Sequence, residues 1–316
     1  MAHTMNMAHT MNYAEKYSGQ ILEAIQQGAL TSPFIESNVQ WLGAKTFHFT
    51  QMNTSGYKDH SRQGGWNKGT ITQKDHEFTV KHDRDISFLV DAADVDETAQ
   101  TAAMMNVTRS FVNDNQIPEI DAYTFSKIAS AAATAGLSEE ADLSTWTAAN
   151  VYTKLVGLLG KTNLKLYRQR GTVVGYVRTE IMDLIAQSTE LSKTVEIVNL
   201  SGPMSIETRV AKLNGVPLIE VLATDRFYDS FSFTEGFAPV ASTSKAINVL
   251  FAALDMVHTV PKISSIYYFA RGSHTEGDGD LYQNRSLWDT FIFPNGLTGK
   301  VDSVFVSKDA TAYSAD

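Results

Sequence analysis

The chain contains no cysteine among its 316 residues. That absence excludes a disulfide framework, thiolate zinc sites and cysteine nucleophiles. Charge is also sparse: 19% of residues are charged, and they leave a formal net charge of -9. An acidic chain has no global attraction for nucleic acid, because binding a phosphate backbone requires Lys and Arg to displace counterions. The apolar stretches are too short and too interrupted for a bilayer span. The N-terminus lacks a basic region followed by an apolar run, so no signal peptide is expected.

What remains is a globular composition, 43% hydrophobic, in a chain long enough to build two lobes. Residues 1–6, MAHTMN, repeat at 7–12. This reads as a local duplication without structure, since His3 and His9 stand too far apart to share a helical turn.

Tyr13 to Gln27 is one short helical candidate, with Tyr17, Ile21 and Ile25 on one stripe and Gly28 as its stop. After Pro33 the run FIESNVQWLG has no sustained period. It reads as an arm that needs a surface to lie against, with Phe34 and Trp41 among its anchors. From Thr46 to Met52 apolar and polar residues alternate, and Phe78, Val80, Ile86, Phe88 and Val90 alternate on the return. The glycine-rich stretch 53–77 between them has little to bury. A connection that long is unusual inside a compact domain, so residues 46–90 are expected to form an extended two-stranded loop. Such a ribbon is marginal in water on its own, which predicts a partner surface.

Asp94 with Glu97 three residues on fits a capping box. Ala99, Ala103, Met104, Val107 and Phe111 continue as an apolar stripe to Ile117-Pro118, where this helix is expected to stop. A second helix is expected from Tyr123 to Ala135. Between 144 and 258 helices and strands mix: helix over 146–159 and 178–191, strand over 172–177 and a short one near 195–198. A hairpin is expected over 210–222 through Asn214-Gly215. This mixture argues a compact α/β lobe. The tail, 259–316, reads as strand-rich.

No catalytic pattern emerges. Gly160-Lys161-Thr162 lacks the glycine that a phosphate loop needs five residues earlier, where Leu155 stands. Glu276, Asp278 and Asp280 occupy a turn without the distal Glu of a calcium loop. His48, His60, His76 and His82 match no zinc spacing. Asp225-Arg226 after a strand has no accompanying nucleophile or second acid and reads as structural or as part of an interface. Neither cofactor nor metal is expected.

Charge distribution is more informative. Residues 57–74 hold Lys58, Arg62, Lys68 and Lys74 against Asp59, a net of +3. Residues 91–150 hold ten carboxylates against Arg109 and Lys127, a net of -8. A basic ribbon tip with Tyr57 and Trp66, and an acidic helix start with Asp94, Asp96 and Glu97, are complementary surfaces that can meet between chains.

This order of parts resembles the major capsid protein of tailed bacteriophages, the Hong Kong 97 type of fold, over roughly 34–310. The strings that carry the resemblance are DVDETAQTAAMMNVTRSFVNDNQI at 94–117, RVAKLNGVPLIEVLATDRFYD at 209–229 and SLWDTFIFPNG at 286–296. The resemblance implies an α+β fold with an N-terminal arm (1–45), an extended β-hairpin loop (46–90), a peripheral domain with a long spine helix (91–139), an axial α/β domain (140–258) and a return to the peripheral domain (259–316). It further implies pentamers and hexamers in an icosahedral shell around double-stranded DNA held without sequence-specific binding. Partners would be a separate scaffolding protein, a portal protein and a decoration protein, with no membrane. Assembly would proceed in the host bacterial cytoplasm through a precursor shell, and the mature chain would reside in the virion. No long charged helical prefix precedes residue 13, so scaffolding would be a separate protein or a leader would already be removed. Lys58 and Lys68 lie on the loop, where some relatives crosslink a lysine to a neighbour, but no acceptor is identifiable in the sequence. Two alternatives stay open: an encapsulin-like compartment, which the long loop and arm disfavour, and a soluble α/β enzyme.

Overall fold

The computed structural model describes residues 28–36, 45–60, 64, 66–91, 104–161, 164–189, 196–200, 206–222, 224–296 and 298–314. In chain order, β1 (Thr46–Thr54) and β2 (Ile71–Thr79) precede β3 (His82–Asp91). Helix α1 (Met104–Phe111), a π-helical turn (Val112–Gln116) and α2 (Ile117–Thr134) then follow without interruption. Next come β4 (Ser138–Glu140), α3 (Val151–Gly160), α4 (Leu164–Arg170), β5 (Val173–Arg178) and α5 (Thr179–Gln187). Strands β6 (Glu196–Leu200), β7 (Ile206–Leu213), β8 (Val216–Val221), β9 (Phe231–Ser232) and β10 (Ala238–Pro239) lead to β11 (Lys245–Ala253). The chain closes with β12 (Val257–Phe269), β13 (Gly279–Ile292) and β14 (Val304–Ala312).

A seven-stranded sheet in the order β4-β14-β11-β5-β8-β7-β6 forms the main body. Its central strands are apolar in nearly every position, as strands covered on both faces must be. In β5, Val173 and Val177 face a cluster built with Leu155, Leu164 and Ile181 of α3, α4 and α5. Val174 and Tyr176 face the opposite cluster, with Phe125 and Ile128 of α2. Gly175 sits between them because a Cβ there would stand 2.6 Å from Leu218 and 2.8 Å from Phe251. The β7–β8 hairpin turns through Asn214 and Gly215, with φ of 50° and 88°, the type I′ geometry that Asn-Gly favours.

The expected helix break at Ile117-Pro118 does not occur. The Ile117 N–H donates to the Val112 carbonyl, five residues back. This widened turn accommodates a proline ring, which carries no N–H and would clash with a regular helix. The helix instead runs to Thr134 and ends at Gly136, whose φ is +69°, the left-handed stop that glycine supplies. Residues 92–103, including Asp94, Asp96 and Glu97, lie outside the described residues, as do Tyr13 to Gln27, Trp41 and Arg62.

The extended loop is shorter than 46–90. Strands β1 and β2 pair only with each other, from Thr46↔Thr79 to Thr54↔Ile71. The buried Val80 and the bond from the Lys81 N–H to the Asp289 carboxylate (3.1 Å) turn the chain. Strand β3 then leaves the ribbon and joins a separate three-stranded sheet, β12-β13-β3. The tail also divides: β12 and β13 form that sheet, whereas β14 inserts beside β11 in the main body. Val304, Phe305 and Val306 are all buried, and only a sheet covered on both faces accepts such a run.

Candidate assembly surfaces

The ribbon is anchored at one end only. At its base Phe47 stacks on Phe78 at 5.5 Å, and both pack against Phe291 at 5.2 Å. Phe78 also meets Phe293 at 5.1 Å. At its far end nothing comparable exists. Tyr57 is 109% exposed, Trp66 94%, Ile71 71% and Met52 64%. The tip is organised by its own polar groups: Ser55 and Thr70 pair through their backbones at 2.9 Å, and the Asn67 amide donates to the Asp59 carbonyl at 2.8 Å. Lys58 reaches across to donate to the Lys68 backbone carbonyl at 3.3 Å.

Phe34 does not behave as an arm anchor for a neighbour. It is 1% exposed and packs 6.0 Å from Tyr176 inside the chain's own core. The cause is a polar clamp at residues 30 and 31. The Asp121 carboxylate accepts bonds from the Leu30 N–H (3.2 Å), the Thr31 N–H (3.0 Å), the Thr31 hydroxyl (2.8 Å) and the Arg226 guanidinium (3.1 Å). The Tyr176 hydroxyl donates to the Leu30 carbonyl. Burial pushes the Asp121 carboxyl up, and Arg226 and the Thr31 donors oppose that shift. Asp225-Arg226 therefore belongs to a structural latch joining the N-terminal segment, α2 and the loop after β8. Sequence reading left the dipeptide open between structural and interface use and had no means of finding its partner 105 positions earlier.

The acidic count over 91–150 also changes meaning. Glu119 bonds Arg84 at 2.8 Å and His82 at 3.1 Å. Glu139 pairs with Lys161, and Glu140 with Lys245 at 2.6 Å. Asp121 is buried and Asp142 caps a short 3-10 turn through the Ser144 N–H. Five of the ten carboxylates are thus engaged within the chain, although Glu140 and Asp142 stay exposed.

A different exposed surface lies at the far end of the three-stranded sheet. There Leu89, Leu281 and Phe269 stand in one register row, with Tyr267 in the next. Leu281 is buried beneath exposed Leu89, Tyr267 and Phe269, and the Tyr267 and Phe269 rings stack at 6.4 Å. Sequence reading took the tail as strand-rich but had no signal that Tyr267 and Phe269 face solvent.

Among the described residues no group of three His, Asp or Glu side chains could hold a metal ion. Gly160 ends α3, and Lys161 just after it pairs with Glu139; Thr162 lies outside the described residues. Arg271 ties down the 272–280 turn through Asp278 (2.7 Å) and Asp280 (3.0 Å). His82 is buried among Tyr123, Phe233 and Trp288. A cavity lined by Ile35, Ile120, Pro261 and Trp288 offers about 30 Å³, far below the roughly 300–1,000 Å³ of small-molecule sites.

Solved structures resemble this one over most of its length. The mature capsid of bacteriophage PhiM1 matches with a TM-score of 0.58 at 11% identity, covering 90% of this chain and 88% of that one. The capsid of cyanophage P-SCSP1u matches at 0.53 and 9% identity, covering 88% and 86%. A virus-like particle from Pyrococcus furiosus matches at 0.50 and 11% identity, covering 93% and 99%. No protein-family model and no curated protein sequence matches the chain. The mixed α/β architecture is the general one of these phage capsid chains, as the sequence resemblance implied.

Proposed function

We propose that this chain is a major capsid protein, self-assembling into pentamers and hexamers of an icosahedral head shell that encloses the double-stranded DNA of a tailed bacteriophage. The observation that carries the reading is the unsupported ribbon on a capsid-type fold. A 9-residue hairpin arm ends in Tyr57 and Trp66 at nearly full exposure. Such rings have no reason to be there unless a neighbour covers them. In this reading the three-stranded sheet and the long helix α1–α2 form the peripheral part of the subunit, and the seven-stranded sheet forms the axial part. The contact residues are Tyr57, Lys58, Trp66 and Lys68, together with Trp41 and Arg62, while Asp94, Asp96 and Glu97 serve as a further acidic patch. The net charge of -9 suits a container that stores DNA without adhering to it. A scaffolding protein, a portal and a decoration protein are its partners, and assembly takes place in the cytoplasm of a bacterial host.

The test is electron microscopy of the chain expressed alone and together with a scaffolding protein. Closed shells of uniform size are expected; a monomer or dimer under those conditions overturns the reading. The likeness to the Pyrococcus furiosus virus-like particle favours a second reading, a protein compartment that encloses other cargo. Nuclease-protected double-stranded DNA inside particles recovered from infected cells supports the viral reading, and protein cargo supports the other.

A further inference from the structure

The cations of this acidic chain are unevenly spread. Between Asp142 and Glu180 there is no carboxylate, yet Lys154, Lys161, Lys165, Arg168, Arg170 and Arg178 all fall in that stretch. Arg178 ends β5 and is neutralised by Glu180 at 2.8 Å and Asp309 at 3.4 Å. The other five lie on α3, on α4 or between them, over the sheet face that Leu155 and Leu164 cover. The opposite face is different: α2 carries a single cation, Lys127, and it pairs with Asp289 at 3.6 Å.

Three of the five are engaged within the chain. Lys154 donates to the Thr145 carbonyl at 2.8 Å, Lys161 pairs with Glu139, and Arg170 reaches Asp255 at 3.6 Å while staying 68% exposed. Lys165 and Arg168 are exposed and meet no carboxylate among the described residues. Their direction is fixed by the other side of α4, where Leu164 and Tyr167 are buried. The Tyr167 hydroxyl donates to Asp302 at 2.8 Å, which also ties the loop carrying exposed Lys300 to the helix.

Lys165 and Arg168 are three residues apart, so they are neighbours on the helix surface and repel each other. A lone carboxylate relieves one of them. A duplex, with a negative charge about every 1.7 Å along its axis, relieves both together and reaches Arg170 as well.

We infer that the outer face of α4, through Lys165, Arg168 and Arg170, contacts the phosphate backbone of double-stranded DNA, and that the α3–α4 side of the seven-stranded sheet therefore faces the shell interior. The inference rests on the shell reading and adds to it the side of the subunit on which the contents lie. A phosphate contact carries no sequence preference. The chain as a whole stays acidic, so the contact is local and weakens with salt.

Leu166, 52% exposed between the two cations, gives a place for a probe that leaves them intact. A chain with Leu166 replaced by the photoreactive p-benzoylphenylalanine is supplied beside the parent chain in infected cells, and DNA-filled heads are irradiated. Covalent attachment of DNA to the probe-bearing chain is expected. The same probe at Ser130, exposed on α2, is expected to capture none. Adding Lys165→Glu and Arg168→Glu to the Leu166 probe is expected to remove most of the attachment. Filled heads without attachment at 166, or with equal attachment at 130, overturn the inference and leave the shell reading standing. Attachment to another subunit or another protein, or exclusion of the Leu166 probe from heads, would mean that protein covers α4, which also overturns it. If the parent chain forms no DNA-filled heads, the shell reading falls and the inference with it.

Discussion

The seven-stranded sheet and the ribbon use the same chain chemistry to opposite ends. In the sheet, every central strand finds apolar partners on both faces within one subunit, so β5, β8 and β11 bury nearly all they carry. In the ribbon, Phe47 and Phe78 are held at the base, and among the described residues the largest side chains, Tyr57 and Trp66, lie at the tip in solvent. The first region folds for its own stability. The second retains a surface whose stabilisation must come from another molecule. That division explains how a modest contact can control assembly without being needed for folding.

The largest effects are expected where the sheet is cut. Phe251→Ala removes a fully buried ring between α3–α5 and the sheet and should cost about 3–5 kcal/mol, read as a lower denaturant midpoint of the subunit. Asp121→Ala should cost a similar amount, about 3–5 kcal/mol, because the Arg226 guanidinium loses its partner in a buried site. It should also free residues 28–36, seen as faster proteolysis there. A smaller cost is expected for Gly279→Ala, whose Cβ would stand 2.2 Å from the Val90 carbonyl oxygen. Forcing β13 away from β3 should cost about 1–3 kcal/mol and distort the Leu89–Leu281–Phe269 row.

How far this could be read beforehand differs between the regions for the same reason. The β7–β8 hairpin was legible from Asn214-Gly215 because the turn chemistry is local. Strand β5 was legible from its β-branched run. Strand β11 was not, since the run Ala246 to Ala253 lacks turn punctuation and a period. The helix break at Pro118 was misread because the π turn that rescues it depends on backbone spacing four to six residues upstream. Phe34 was taken for an interface residue because its fixing partner, Asp121, is distant in sequence. The acidic patch was overestimated because a charge count does not see Arg84, Lys161 or Lys245 folding back on it. The tip residues Tyr57, Lys58, Trp66 and Lys68 were legible, since a long polar segment with isolated rings has few uses within one chain.

Two weaker effects sharpen the comparison. Hydrogen bonding from Arg285 holds the Asp83 carboxyl at about 2, below its ordinary 3.8. A depressed folded value stabilises above the unfolded one, so this contribution is complete above about pH 4 and is lost as pH falls through about 2. It is a partly exposed pair joining β3 to β13, worth up to about 1 kcal/mol. Asp83→Asn should lower stability by up to that amount at neutral pH and leave it nearly unchanged below about pH 2, which flattens the acid limb of the subunit's stability curve. Trp66→Ala should be the smallest change of all to the isolated subunit, within about 0.5 kcal/mol. It should nevertheless lower shell yield, measured as the particulate fraction on sedimentation.

The division between a self-sufficient sheet and a dependent ribbon is tested most directly by amide hydrogen exchange on the free subunit and on the assembled particle. In the free subunit, amides of β5, β8 and β11 should exchange only by global unfolding, and those of β1 and β2 beyond the Phe47–Phe78 pair should exchange by local opening. On assembly the ribbon amides should gain protection while the sheet amides change little. Ribbon amides already as protected as the sheet in the free subunit, or no slower in the particle, would contradict the account.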